Sequence, residues 1–210
     1  MQSRTPTSRT GRPRSARADA AILEATRQAL VELGWSKLTL GDVATRAGVA
    51  KTTLYRRWAG KNELVVDAVA ELFDELELPD RGSLADDIKG VVLQFAAILD
   101  RPEAKSGLMA AVAESTRDEA LRERIRASIV DRQKRLVLEG RERAQRRGEL
   151  PAQPDPCEAD RTAELIFDLV AGSVVHRALV SGKPADEEWV HGLTRILLLG
   201  LAGAADDART

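Results

Sequence analysis

Apolar residues recur along most of this chain at spacings of three and four, the period of an amphipathic helix. Runs that alternate apolar and polar between hairpin turns, the mark of strands, are almost absent. The first stripe, Ile22, Ala25, Ala29, Leu30 and Leu33, predicts a helix over 18–33 ended by Gly34, with Trp35 plugging a small core behind it. Leu40, Val43, Ala44 and Ala47 share one face of a second helix. Thr39 stands three residues before Asp42 in an approximate capping box, and Gly48 supplies a left-handed stop. Over 51–58 only Leu54 and Trp58 face inward. Gly60 caps a fourth helix, with Lys61 and Glu63 in its first turn and Leu64, Ala68, Leu72 and Phe73 inward, running to about residue 77. Further helical stretches cover 84–100, 102–116, 118–147, 158–180 and 186–202, with Pro102 in a first turn and a Pro-rich connector over 148–156. The expected fold is all-α: a three-helix head containing a helix-turn-helix, then a larger helical body, about nine helices in all.

The polar face of 51–58 is unusual. Lys51, Thr52, Thr53, Tyr55, Arg56 and Arg57 nearly all donate hydrogen bonds, and three of them are cations, which suits a polyanion. As the second helix of a helix-turn-helix, this segment has the size and chemistry to enter a DNA major groove. The overall charge of −1 hides a segregation that points the same way. Residues 1–61 hold twelve Lys and Arg against four acids, a net +8, which leaves −9 on the rest. Lys61 and the free amides opening its helix form an anion site suited to a phosphate. Residues 1–16, rich in Ser, Thr, Pro and Arg, are expected to be a disordered basic arm in isolation. Gly11-Arg12-Pro13-Arg14 resembles an AT-hook core, although Thr10 stands where that motif prefers Arg. Arg12 and Arg14 are candidates for a narrow minor groove, the alternative being a solubilising tail that touches phosphates transiently.

Gly34-Trp35, Leu38-Thr39-Leu40, Asp42-Val43-Ala44, Ala47-Gly48-Val49, Thr53-Leu54-Tyr55 and Lys61-Asn62-Glu63-Leu64 together resemble the amino-terminal signature of the TetR family, over about 18–69. Two residues depart from it: Ala50 stands where a capping Ser is usual, and Trp58 where Phe is usual, a swap expected to be a core substitution. The resemblance implies a homodimeric, ligand-responsive DNA-binding transcriptional regulator, most often a repressor, on a palindromic operator. It assigns a DNA-binding domain to 17–62 and an effector-binding and dimerisation domain to 63–205. Lys51, Thr52, Thr53 and Arg56 would lie nearest the base edges of double-stranded DNA, with Thr39, Tyr55, Arg57 and Lys61 on phosphates. Dimerisation would use the last two helices, the most apolar part of the chain (Leu165, Ile166, Leu169 and Val170; Val190, Leu193, Ile196 and Leu197). A pocket for a small-molecule effector, largely apolar and modest in size, is implied in the body. Its candidate lining is Phe95, Leu99, Leu108, Met109, Val112, Ile129 and Phe167, each equally suited to plain core packing. The alternative function is a weakly specific architectural DNA-binding protein with no effector.

Other chemistries find little support. The single Cys157 allows no intramolecular disulfide and no cysteine metal site, and it suits a reducing cytoplasm. No apolar run follows the basic start as in a signal peptide, and none reaches the roughly 18 residues of a membrane span. His176 and His191 fall in the expected dimer helices with no Ser or Cys motif beside them. Asp86-Asp87 and Asp206-Asp207 are adjacent and diverge on a helix. The expectation is a non-enzyme with no cofactor, no metal and no membrane partner.

Overall fold

The computed structural model describes residues 12–151 and 155–207, with side chains described for 16–151 and 155–201. It is helical throughout, with no strand among the described residues. Helix α1 (Arg12–Lys37) starts ahead of its apolar stripe, so the expectation of a disordered arm is corrected for 12–16. Ala16, Ala18, Ala20 and Ala21 are strong helix formers and carry the helix back from the stripe. Residues 1–11 lie outside the described residues, as do the side chains of Arg12 and Arg14. Gly34 (φ 69°, ψ 169°) breaks α1 where the sequence places its stop.

Helix α2 (Leu40–Ala47) opens with the capping box: Asp42 N donates to Thr39 Oγ1 and Thr39 N to the Asp42 carboxylate. Gly48 closes it in the left-handed region (φ 65°), which a side chain would strain. Helix α3 (Lys51–Tyr55) is shorter than expected, and its N-cap residue Ala50 makes no side-chain cap. The chain leaves it through a tight turn in which the Arg57 and Trp58 amides both donate to Leu54 O. Helix α4 (Lys61–Phe73) also ends early. The reason is a tertiary partner: Glu77 leaves the helix to exchange hydrogen bonds with the Gln94 side chain, through both its amide and its carbonyl.

The body comprises α5 (Leu84–Asp100), α6 (Pro102–Ser115), α7 (Glu119–Ile125), α8 (Asp131–Arg146), α9 (Pro156–Val175) and α10 (Glu187–Asp207). The long helix expected over 118–147 is present but passes from α7 to α8 through a π-turn (Arg126–Val130). A π-turn adds a residue to one turn, and Ile125, Ile129 and Gln133, spaced four apart, point inward along it. A second π-turn (His176–Val180) ends the α9 rod.

One cluster of buried side chains runs from Ile22, Leu30 and Leu54 through Leu64, Val69 and Phe73 to Val92, Leu99, Ile129 and Val190. The head is therefore fused to the body rather than tethered to it. Helix α6 makes the joint, lying against both α1 and α4. At its centre a Cβ on Gly107 would stand 2.4 Å from Val69 Cγ2 and 3.3 Å from Leu30 and Val65. Removing the side chain lets three helices meet, and each Val or Leu fully buried there contributes about 1.5–3 kcal/mol.

A buried carboxylate locks the far end of the body. Asp87, 2% exposed, accepts from Arg81 N at 2.7 Å and from the Arg147 guanidinium at 2.8 Å. Arg143 donates to Pro79 O, and Glu149 accepts from Leu84 N, so the α4–α5 loop is tied to the end of α8.

Candidate nucleic-acid interface and body cavity

Helix α3 presents Lys51, Thr52, Tyr55 and Arg56 to solvent, with Tyr55 59% exposed, while Leu54 is fully buried beneath them. Thr53 is half-buried. Lys51 reaches back across Gly41 of α2. These side chains share the exposed side of α3 and its C-cap residue Arg56, packed against α2, and their groups can donate to base edges or phosphates.

Three of the expected phosphate contacts are already engaged within the head. Arg57 is ion-paired with Asp19 of α1 at 2.6 Å. Lys61 donates to Trp35 O at 3.0 Å and lies over the Trp35 ring at 4.3 Å. The Thr39 hydroxyl donates to Asp42 at 2.6 Å, which with the nearby charges of Arg46 and Lys51 holds that carboxyl below its ordinary range. These partners are distant in sequence or reuse the cap, so the pattern of residues alone does not show them.

Sequence reasoning also missed a polar chain behind α3. Trp58 is buried as expected, but its indole N–H donates to Asp67 of α4 at 2.8 Å. Asp67 accepts from Arg124 of α7 at 2.9 and 2.7 Å. Glu63 accepts from Ala59 N, capping α4, and lies 3.5 Å from Arg124. Trp in place of the usual Phe thus adds a donor that links the end of the recognition segment to the body.

Within the body, a cavity of about 100 Å³ opens between α5, α8, α9 and the end of α4. That is about two-thirds of the roughly 150 Å³ hole that holds a benzene molecule. Of the expected lining residues, Phe95 and Phe167 border it. Leu99, Leu108 and Ile129 are buried core residues that do not. Met109 and Val112, about half exposed, are corrections: α6 turns its other face, Ala104, Gly107, Leu108 and Ala111, into the core, which leaves them outside. Sequence reasoning missed Asp87, Gln133 and Arg141 on the cavity wall. Gln133 had a signal: it fills a position on the apolar stripe between Ile129 and Leu136. Burial pushes the Arg141 guanidinium down from its ordinary range, opposed by the charge of Glu158. No cluster of His, Cys, Asp and Glu among the described residues has the makings of a metal site.

On the outside of α9 and α10, Leu165, Leu169, Ile196 and Leu199 are 47–66% exposed. Their neighbours Val174, Val190 and Leu197 are buried. Four large apolar side chains exposed on these two helices are more than the single apolar residues scattered over an ordinary surface.

Two family models match the chain. "Bacterial regulatory proteins, tetR family" covers residues 22–68, and "Tetracyclin repressor-like, C-terminal domain" covers 78–197, more than half of the chain. The chain belongs to the TetR family. Among its relatives, the uncharacterised HTH-type transcriptional regulator YdeS of Bacillus subtilis is 30% identical over 188 residues, 89% of this chain and 90% of YdeS. The DNA-binding transcriptional repressor TetR of Mycobacteroides abscessus is 31% identical, over 87% of this chain and 92% of its own. The crystal structure of the TetR family transcription regulator SCO0332 superposes with a TM-score of 0.71 at 27% identity, covering 88% of this chain and 98% of that one. Membership makes this TetR-family chain a non-enzymatic, DNA-binding transcriptional regulator. No helix among the described residues is long and apolar enough to cross a membrane.

Proposed function

We propose that the protein is a ligand-responsive repressor that binds a palindromic operator as a homodimer in the cytoplasm. The observation that carries this reading is the exposed donor face of α3, Lys51, Thr52, Tyr55 and Arg56, on a head whose core is continuous with a cavity-bearing body. Lys51, Thr52, Thr53 and Arg56 lie nearest the base edges, and Tyr55 faces the phosphates, while Thr39 holds the start of α2 through Asp42. Arg57 and Lys61 contribute charge beside the backbone while their side chains hold the head together. Arg12 and Arg14 are the candidates for a narrow A·T-rich minor groove. Two copies joined through Leu165, Leu169, Ile196 and Leu199 place two heads on half-sites about one DNA turn apart. An effector in the cavity bordered by Phe95 and Phe167 favours a body conformation that tilts α4 and moves the heads out of register. It does so only by binding the two conformations with different affinity.

The test is selection of genomic DNA fragments by the purified protein at near-physiological salt, followed by sequencing. Recovery of a palindrome with two half-sites is the expected result. Recovery of no motif, with binding that vanishes steeply as salt rises, overturns the reading in favour of a weakly specific architectural protein.

A further inference from the structure

The cavity wall is apolar except at Asp87, Gln133 and Arg141. Asp87 is satisfied on both oxygens, by Arg81 N and by Arg147. Gln133 is only half satisfied. Its side chain is buried, with the residue 7% exposed, and Nε2 donates to Phe73 O at 3.0 Å. Oε1 is buried and has no hydrogen-bond partner. The Phe73 carbonyl fixes which way the amide points, since a flip would set oxygen against oxygen. A buried acceptor left without a donor is costly and rare in folded proteins.

We propose that the effector is a largely apolar molecule carrying a hydrogen-bond donor, a hydroxyl or an N–H, and that Gln133 Oε1 is the atom that reads it. The inference rests on the cavity being the effector site. Gln133 also connects that donor to the head. Phe73, which takes its Nε2 hydrogen bond, is the last residue of α4, and the cavity residue Phe95 packs edge-on against the same ring at 5.6 Å between centroids. Both contacts hold the body end of the helix whose other end carries Lys61 and Glu63. A donor on Oε1 polarises the amide and strengthens its grip on Phe73. An occupant without a donor fills the cavity but leaves the acceptor orphaned.

The experiment titrates the full-length protein calorimetrically with phenol, fluorobenzene and toluene, three molecules of nearly one size of which only phenol carries a donor. The phenol is expected to bind about tenfold or more tightly than the other two, because a site built for a hydroxyl rejects analogues that lack it. In Gln133→Met that preference disappears while toluene binds no more weakly. Equal affinities in the wild type, a phenol preference that survives in Gln133→Met, or no binding by any of the three overturns the proposal. Should Gln133→Met fail to fold, the wild-type ranking decides alone. The DNA selection above uses no compound, so its result separates failure of this inference from failure of the regulator reading.

Discussion

Trp58 shows how much one side chain can carry here. Its ring fills the core of the head while its N–H holds Asp67, and Asp67 holds Arg124 of the body. Trp58→Phe keeps most of the ring's burial and removes one hydrogen bond to a charged group. We expect a loss of about 1–2 kcal/mol, measured by urea unfolding, with Asp67 still paired to Arg124. Asp42 carries a different kind of dependence. Its carboxyl is held below the ordinary range in the folded head, chiefly by the Thr39 hydroxyl. A depressed folded value means stabilisation that is complete above the unfolded value of about 3.9 and is lost as pH falls through the folded one. Asp42→Asn should therefore melt below wild type at pH 7, with the gap closing as the pH drops under that value. Thermal melts across pH check both parts; a gap independent of pH would sink the assignment. The capping box was legible in the sequence because Thr39 and Asp42 are three residues apart and act locally. The partners of Arg57 and Lys61 were not, because Asp19 and Trp35 come near them only once α1 has folded against the rest of the head.

Among the elements, α6 connects more of the molecule than its unremarkable sequence suggests. Its inner face meets α1 and α4 at Gly107, where a methyl group would sit 2.4 Å from Val69. Gly107→Ala should cost about 1–3 kcal/mol through overpacking, despite the better helix propensity of Ala. A melting temperature equal to wild type would show that the seam can relax. Helix limits set by local signals, such as Ser83 before α5 and Pro102 in α6, fall where the sequence puts them. Limits set by tertiary contacts do not: α4 stops short of Glu77, which pairs with Gln94, and a π-turn interrupts the rod from α7 to α8. Gln133 was passed over for a related reason. In a helix crowded with Arg and Glu, one more polar residue looks like surface until its burial is known.

For the molecule as a whole, the exposed apolar side chains of α9 and α10 make a claim about assembly. Ile196 is 66% exposed and bears little on the fold of one copy. Ile196→Lys should leave the circular dichroism spectrum unchanged and convert a dimer to a monomer in sedimentation velocity. Operator affinity should fall by several orders of magnitude, because one head then reads one half-site. A variant that still sediments as a dimer would place the contact elsewhere. The general body plan was visible from stripes of apolar residues, and the family resemblance added the expectation that the last two helices pair with a second copy. The cavity's own lining was visible only in part, since Phe95 and Phe167 border it while Met109 and Val112 stand outside.

The unbroken core between head and body also bears on how such regulators can be rewired. Cutting the chain after α4 would strip α6 from Leu30, Val65 and Val69, all buried in the intact protein, so the isolated head would carry a greasy scar. A chimera that grafts a new DNA-reading head onto this sensor must bring residues matched to Gly107, or bring α6 along with the head. The workable splice follows the packing seam, not the boundary between the two sequence families that describe the halves.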